Sequence, residues 1–93
     1  MGIGTVSATV SGDNQFTDAM ATQKTALVSI SISGTFSATI TLQHKIDGSN
    51  WRDVETWTAA AEQLYEAPED GEIRIGCKTG EYTSGSPVLR LGR

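Results

Sequence analysis

Thr25-Ala26-Leu27-Val28-Ser29-Ile30-Ser31-Ile32-Ser33, then Gly34, then Phe36-Ser37-Ala38-Thr39-Ile40-Thr41-Leu42-Gln43 is the stretch that decides the fold. Apolar and small polar residues alternate, and the apolar ones are mostly β-branched or aromatic. This period of two marks strands with one face in a core and the other in water. Val28, Ile30 and Ile32 share one face, and Ser29 and Ser31 share the other. After a tight reversal at Ser33-Gly34-Thr35, the inward face continues through Phe36, Ala38, Ile40, Leu42 and His44, with Thr39, Thr41 and Gln43 outward. Asp47-Gly48-Ser49-Asn50 then reads as a hairpin loop built around a type I turn, leading into Trp51-Arg52-Asp53-Val54-Glu55-Thr56-Trp57.

Outward from this segment the pattern repeats. Thr5 to Val10 alternates as a first strand and ends in Ser11-Gly12-Asp13-Asn14, which has turn chemistry. Gln15 to Gln23 reads as a loop in which Phe16 and Met20 stand as isolated apolar residues and Asp18 is placed to cap a short helical turn. Thr58 to Ala61 reads as a bend, with a strand starting near Gln63. Pro68 to Gly71 is a turn, and Glu72 to Lys78 is a strand with Ile73, Ile75 and Cys77 inward. Thr79 to Ser86 is a loop, and Val88 to Leu91 is a last strand with Leu89 and Leu91 inward. About seven strands at this spacing predict an all-β antiparallel sandwich, jelly-roll or Ig-like. The 93 residues form one domain, 1–93, with 1–23 read as a flexible N-terminal arm that a neighbour could order. Lys24 and Lys45 are candidate guards of exposed strand edges.

Composition narrows the function classes. The formal net charge is −4, with acids gathered between Glu62 and Glu72 and no basic stripe, which argues against nucleic acid as a partner. A lone Cys77 allows no internal disulfide. With no signal-peptide pattern and no apolar run of membrane-spanning length, the expectation is a chain made in a cytoplasm, with no membrane partner. A sandwich this small has a thin margin of stability, which self-association would raise.

No motif names a reaction. His44 and Cys77 could form a thiol–base pair, but Cys77 falls on an inward strand position, where cysteine packs as a small hydrophobe. Asp13, Asp47 and Asp53 are loop acids too few for a calcium cage. Glu62, Glu66, Glu69, Asp70 and Glu72 read as a solvated acidic surface and not as a glycosidase pair. No catalytic residue, metal site or cofactor is assigned.

Trp51 and Trp57 carry the binding hypothesis. Their even separation puts both on one face of a regular strand, opposite Val54. With Val54 inward, the two indoles form an outer platform beside Asp53 and Glu55. Both rings in the core is the opposite arrangement, and a bulge would reset the parity. The Ser29, Ser31, Ser37, Thr39 and Thr41 faces suit either water or a closely packed neighbour.

Three segments then resemble a known group: Ser37 to Gln43, Asp47-Gly48-Ser49-Asn50-Trp51-Arg52-Asp53-Val54, and Ile75-Gly76-Cys77-Lys78-Thr79-Gly80-Glu81-Tyr82-Thr83-Ser84-Gly85. Over residues 26–92 the chain resembles small β-sandwich virion proteins of tailed bacteriophages. The resemblance implies a non-enzymatic structural role in the virion, as a capsid decoration protein, head-fibre module or tail component, with capsid or tail proteins as partners and a homotrimer as the favoured oligomer. Phe16, Met20, Trp51, Trp57 and Tyr82 are the expected partner-binding residues, as large apolar side chains in loops or on an outer face. The alternative is a carbohydrate-binding module for host adsorption, with a glycan stacked on the two tryptophans.

Overall fold

The computed structural model of the chain describes residues 5–46, 48 and 50–92. The Asp47–Asn50 loop expected from sequence includes Asp47 and Ser49, which lie outside the described residues. Gly48 has φ of +80°, a conformation open to glycine at little cost.

The described chain is all β, and every strand pairing is antiparallel. In chain order the strands are β1 (Thr5–Thr9), β2 (Gln15–Phe16), β3 (Met20–Thr22), β4 (Leu27–Ser33), β5 (Phe36–Ala38) and β6 (Ile40–Lys45). They continue as β7 (Arg52–Trp57), β8 (Ala61–Glu66), β9 (Gly71–Cys77), β10 (Tyr82–Gly85) and β11 (Val88–Gly92). One sheet has the order β1-β11-β4-β8. The second has the order β2-β9-β6-β7, with β3 also on β9, and β5 pairs with β10 as a short ribbon.

Eleven strands replace the expected seven for identifiable reasons. The stretch read as one strand from Phe36 divides at Thr39 into β5 and β6, which pair with different partners. The two segments read as loops contain β2, β3 and β10, each four residues or shorter. From Thr5 onward the segment read as an arm is built into the sheets: β1 lies along β11, and β2 and β3 lie along β9. The helical turn after Asp18 does not form; β3 begins at Met20 instead.

The core lies between the two large sheets. Val28, Ile30, Ile32, Leu89 and Leu91 come from one side, and Ile40, Leu42, Ile73, Ile75 and Cys77 from the other, all as the alternation predicts. Burying a side chain of this size stabilises the fold by about 1.5–3 kcal/mol. Tyr65 and His44 close one border of the layer, with Tyr65 Oη 3.2 Å from His44 Nδ1. Lys45 is no edge guard, because β6 lies between β9 and β7. Its ammonium instead pairs with Glu72 at 3.1 Å.

Two one-residue excesses decide which way the large side chains point. From Trp57 to Arg52 the chain advances five residues while its partner β6 advances four, from Ile40 to His44, with the register shift beside Leu42 and Gln43. From Phe16 to Met20 it advances four while β9 advances three, from Gly76 to Ile73. An extra residue on one strand reverses the side-chain parity beyond it.

Candidate functional site

The bulge in β7 separates the two tryptophans. Trp57 pairs with the inward Ile40 and packs against the core. Trp51 lies on the outer face of its sheet, within reach of Arg74 and Lys45. The two-indole platform therefore does not exist. Val54, expected inward, falls at the register shift and is exposed.

On that outer face the register aligns Arg74, Gln43 and Asp53 across β9, β6 and β7. Arg74 Nε donates to Gln43 Oε1 at 2.9 Å, and Gln43 Nε2 donates to Asp53 Oδ1 at 2.9 Å. Lys78 Nζ donates to Asp53 Oδ2 at 2.7 Å. The Arg74 guanidinium lies 4.1 Å from the Phe16 ring centre and 4.4 Å from that of Trp51, and the Lys45 ammonium is 5.0 Å from Trp51. Burial lowers the Arg74 pKa, yet a guanidinium stays charged at any physiological pH. Each such contact contributes about 0.5–2 kcal/mol. Phe16 and Trp51 are thus engaged by the chain's own cations.

The Lys78 hydrogen bond, followed by that from Gln43, holds the Asp53 carboxyl below its ordinary value of 3.8. A depressed carboxylate stabilises the fold above the unfolded-state pKa and loses that contribution as pH falls through the folded one. The pair is largely exposed, so its effect is small and screened by salt. In urea titrations, Asp53→Asn is expected to unfold slightly earlier than wild type at pH 7. The gap should narrow as the pH falls below 3.8 and through the lowered folded-state pKa of Asp53, and shrink in high salt. An unchanged gap at low pH would contradict this assignment.

The remaining sequence candidates are drawn into the fold. Met20, expected at a partner surface, is 5% exposed and belongs to the core, because the one-residue excess after Phe16 turns it inward opposite Ile73. Tyr82 is half-buried against the core, and its hydroxyl donates to the Gly85 carbonyl at 2.7 Å. Cys77 is fully buried, and burial, then Asp13 and Glu81, push its thiol upward, away from the thiolate a nucleophile needs. His44 is paired with Ile73, four residues along β9 from Cys77, and contacts Tyr65. Among the acids, Asp13 accepts the Tyr82 N–H at 3.0 Å and Asp70 accepts the Lys24 N–H at 2.7 Å.

On the outer face of the β1-β11-β4-β8 sheet, to which the Ser29 and Ser31 face belongs, sequence reasoning missed two exposed leucines. Ser29, Ser31 and Ser33 on β4 point outward; on one side β11 adds Val88 and Arg90, with Thr5, Ser7 and Thr9 of β1 beyond it, and on the other β8 adds Glu62, Leu64 and Glu66. On this mixed face of short hydroxyls and charged side chains Leu27 is 59% exposed and Leu64 65%. Ser29 is opposite Leu64 and Leu27 opposite Glu66, so the two leucines are diagonal neighbours on one face, about 7–8 Å apart. Val88 lies on the same face at its far end, opposite Ser33. The signal for Leu27 was present: it shares parity with Ser29 and Ser31, not with Val28.

Compared with known proteins, the chain matches no family model, no curated protein and no solved structure.

Proposed function

We propose that this chain is a non-enzymatic structural module of a tailed-phage virion, a capsid decoration or head-fibre unit acting through repeated protein–protein contacts. The observation that carries the reading is the diagonal leucine pair, Leu27 and Leu64, presented on a sheet face where short hydroxyls are bordered by Arg90, Glu62 and Glu66. Short hydroxyl side chains let a second surface approach closely, and two large apolar side chains side by side supply an apolar patch that scattered ones do not. The resemblance to phage virion sandwiches over residues 26–92 points the same way.

Size favours repetition. Four strands about 4.8 Å apart and about 20 Å long give a plan area of roughly 400 Å². A stable one-to-one interface uses about 800 Å² per partner. A face this small gains strength when several copies bind together, as a trimer on a lattice does. The glycan reading rested on two indoles sharing a face, and Trp51 and Trp57 lie on opposite faces.

Quantitative mass spectrometry of particles produced by the genome that encodes the chain is expected to find it in many copies per particle. A chain abundant in the lysate but missing from purified particles would contradict the proposal.

A further inference from the structure

Beside the β5–β10 ribbon lies an open cleft of about 510 Å³, lined by Phe36, Ser37, Thr39, Thr58, Glu81 and Thr83 among others. The chain is irregular on both sides of it. Thr39 leaves the ladder between β5 and β6, and its N–H donates to the Glu81 carbonyl at 2.9 Å. Opposite, the register shifts between Tyr82 and Ser84, which leaves Thr83 unpaired in the ribbon. Glu81 follows Gly80, whose φ of +85° lets the chain turn into β10.

Glu81 is half-buried, and its Oε1 is shielded from solvent with no hydrogen-bond donor among the described residues. A carboxylate oxygen shielded from water without a donor loses its hydration and gains no hydrogen bond in return. The adjoining Lys78 does not supply the donor, because its ammonium is engaged by Asp53 at 2.7 Å. Asp13 adds a second negative charge at this end of the fold, where both it and Glu81 push the Cys77 thiol upward. Lys78, its pKa raised first by the Asp53 hydrogen bond, is near enough for Glu81 to raise it as well, but its hydrogen bond goes to Asp53, so among the described residues no donor reaches Glu81 Oε1.

We propose that this cleft receives a cationic side chain, an arginine guanidinium or a lysine ammonium, from the protein on which the module assembles. The Glu81 carboxylate takes the charge, and the hydroxyls of Ser37, Thr39, Thr58 and Thr83 are acceptors for the remaining N–H groups. Phe36 gives the lining an aromatic component, which suits a guanidinium. A neutral sugar would bring hydroxyls but leave the charge uncompensated. The source of the side chain rests on the assembly reading; the cleft's preference for a cation does not.

The test is an amide NMR titration of the full chain with N-acetyl-arginine-amide, run in parallel with methyl glucoside. Saturable shifts at Thr39, Gly80, Glu81 and Thr83 with the arginine probe, with a Kd of about 1–10 mM, are expected. Glu81→Gln, whose own spectrum reports whether it is folded, should weaken binding at least about tenfold, and salt should weaken it further in wild type. No saturable shift, or an equal response to the glucoside that survives Glu81→Gln, overturns the proposal. The two readings fail separately. Arginine binding by a chain that never enters particles sinks the assembly reading and keeps the cleft. Entry into particles without arginine binding does the reverse.

Discussion

Gly76→Ala is expected to destabilise the domain by about 3 kcal/mol and to lower its melting temperature by about 12–24 °C. Gly76 sits on the outward side of β9, directly beneath β2. A Cβ there would lie 2.5 Å from the Phe16 Cα and 2.6 Å from the Phe16 Cδ2, and closer still to the Gln15 carbonyl oxygen. Two of these three atoms are backbone, so no rotamer change relieves the clash; β2 must lift from β9. Lifting it also breaks the Phe16–Arg74 contact. Against a total stability of about 5–10 kcal/mol the loss is large. Gly12→Ala is the control. Its Cβ would meet nothing nearer than Gln15 Nε2 at 3.7 Å, and it should change stability by less than about 0.5 kcal/mol. A Gly76→Ala variant that melts like wild type would show that β2 does not lie on β9.

The same strand shows where sequence reasoning stops. Alternation placed Val28, Ile30, Ile32, Ile40, Leu42, Ile73, Ile75, Leu89 and Leu91 correctly, because each lies on a strand that itself carries no extra residue. Parity went wrong for the two tryptophans, which an extra residue separates; a second extra residue lies between Phe16 and Met20, which the sequence reading left in a loop. Trp51 and Trp57 are six apart, and Phe16 and Met20 four apart. Even spacing puts each pair on one face only if the strand between them is regular. Neither is, and neither extra residue carries a signature: Val54 is β-branched, and Thr17-Asp18-Ala19 holds no glycine. A bulge of this kind is fixed by the partner strand's register, which is a long-range property. Short strands such as β2 and β10 escape for a related reason. Two to four residues hold too few periods to show alternation, and their pairing depends on a partner distant in sequence.

The candidate surfaces were legible to different degrees. Leu27 could be placed outward by counting from Val28. Leu64 could not, since its strand was expected to begin near Gln63 and begins at Ala61. The cleft was hidden entirely. Its lining comes from residues 36–39, 58 and 80–83, segments joined only by the fold. The Phe16–Arg74–Trp51 stack was hidden too, because Arg74 alternates inside a strand like any outward charge and nothing in the sequence places two aromatic rings over it.

The second large effect concerns assembly. Replacing Leu27 and Leu64 together by aspartate removes both apolar anchors and puts two negative charges on the face. Each buried leucine contributes about 1.5–3 kcal/mol, so the pair is worth a roughly hundredfold or greater change in affinity. Both side chains are exposed in the isolated domain, so the variant should stay folded, with a loss of at most about 1 kcal/mol because Leu27→Asp sets a like charge opposite Glu66. The decisive measurement is co-sedimentation of the purified chain with particles assembled without it. Wild type is expected to pellet with the particles and the folded Leu27→Asp/Leu64→Asp variant to stay in the supernatant. A folded variant that pellets as well as wild type, or a wild-type chain that does not pellet, would contradict a lattice contact through this face.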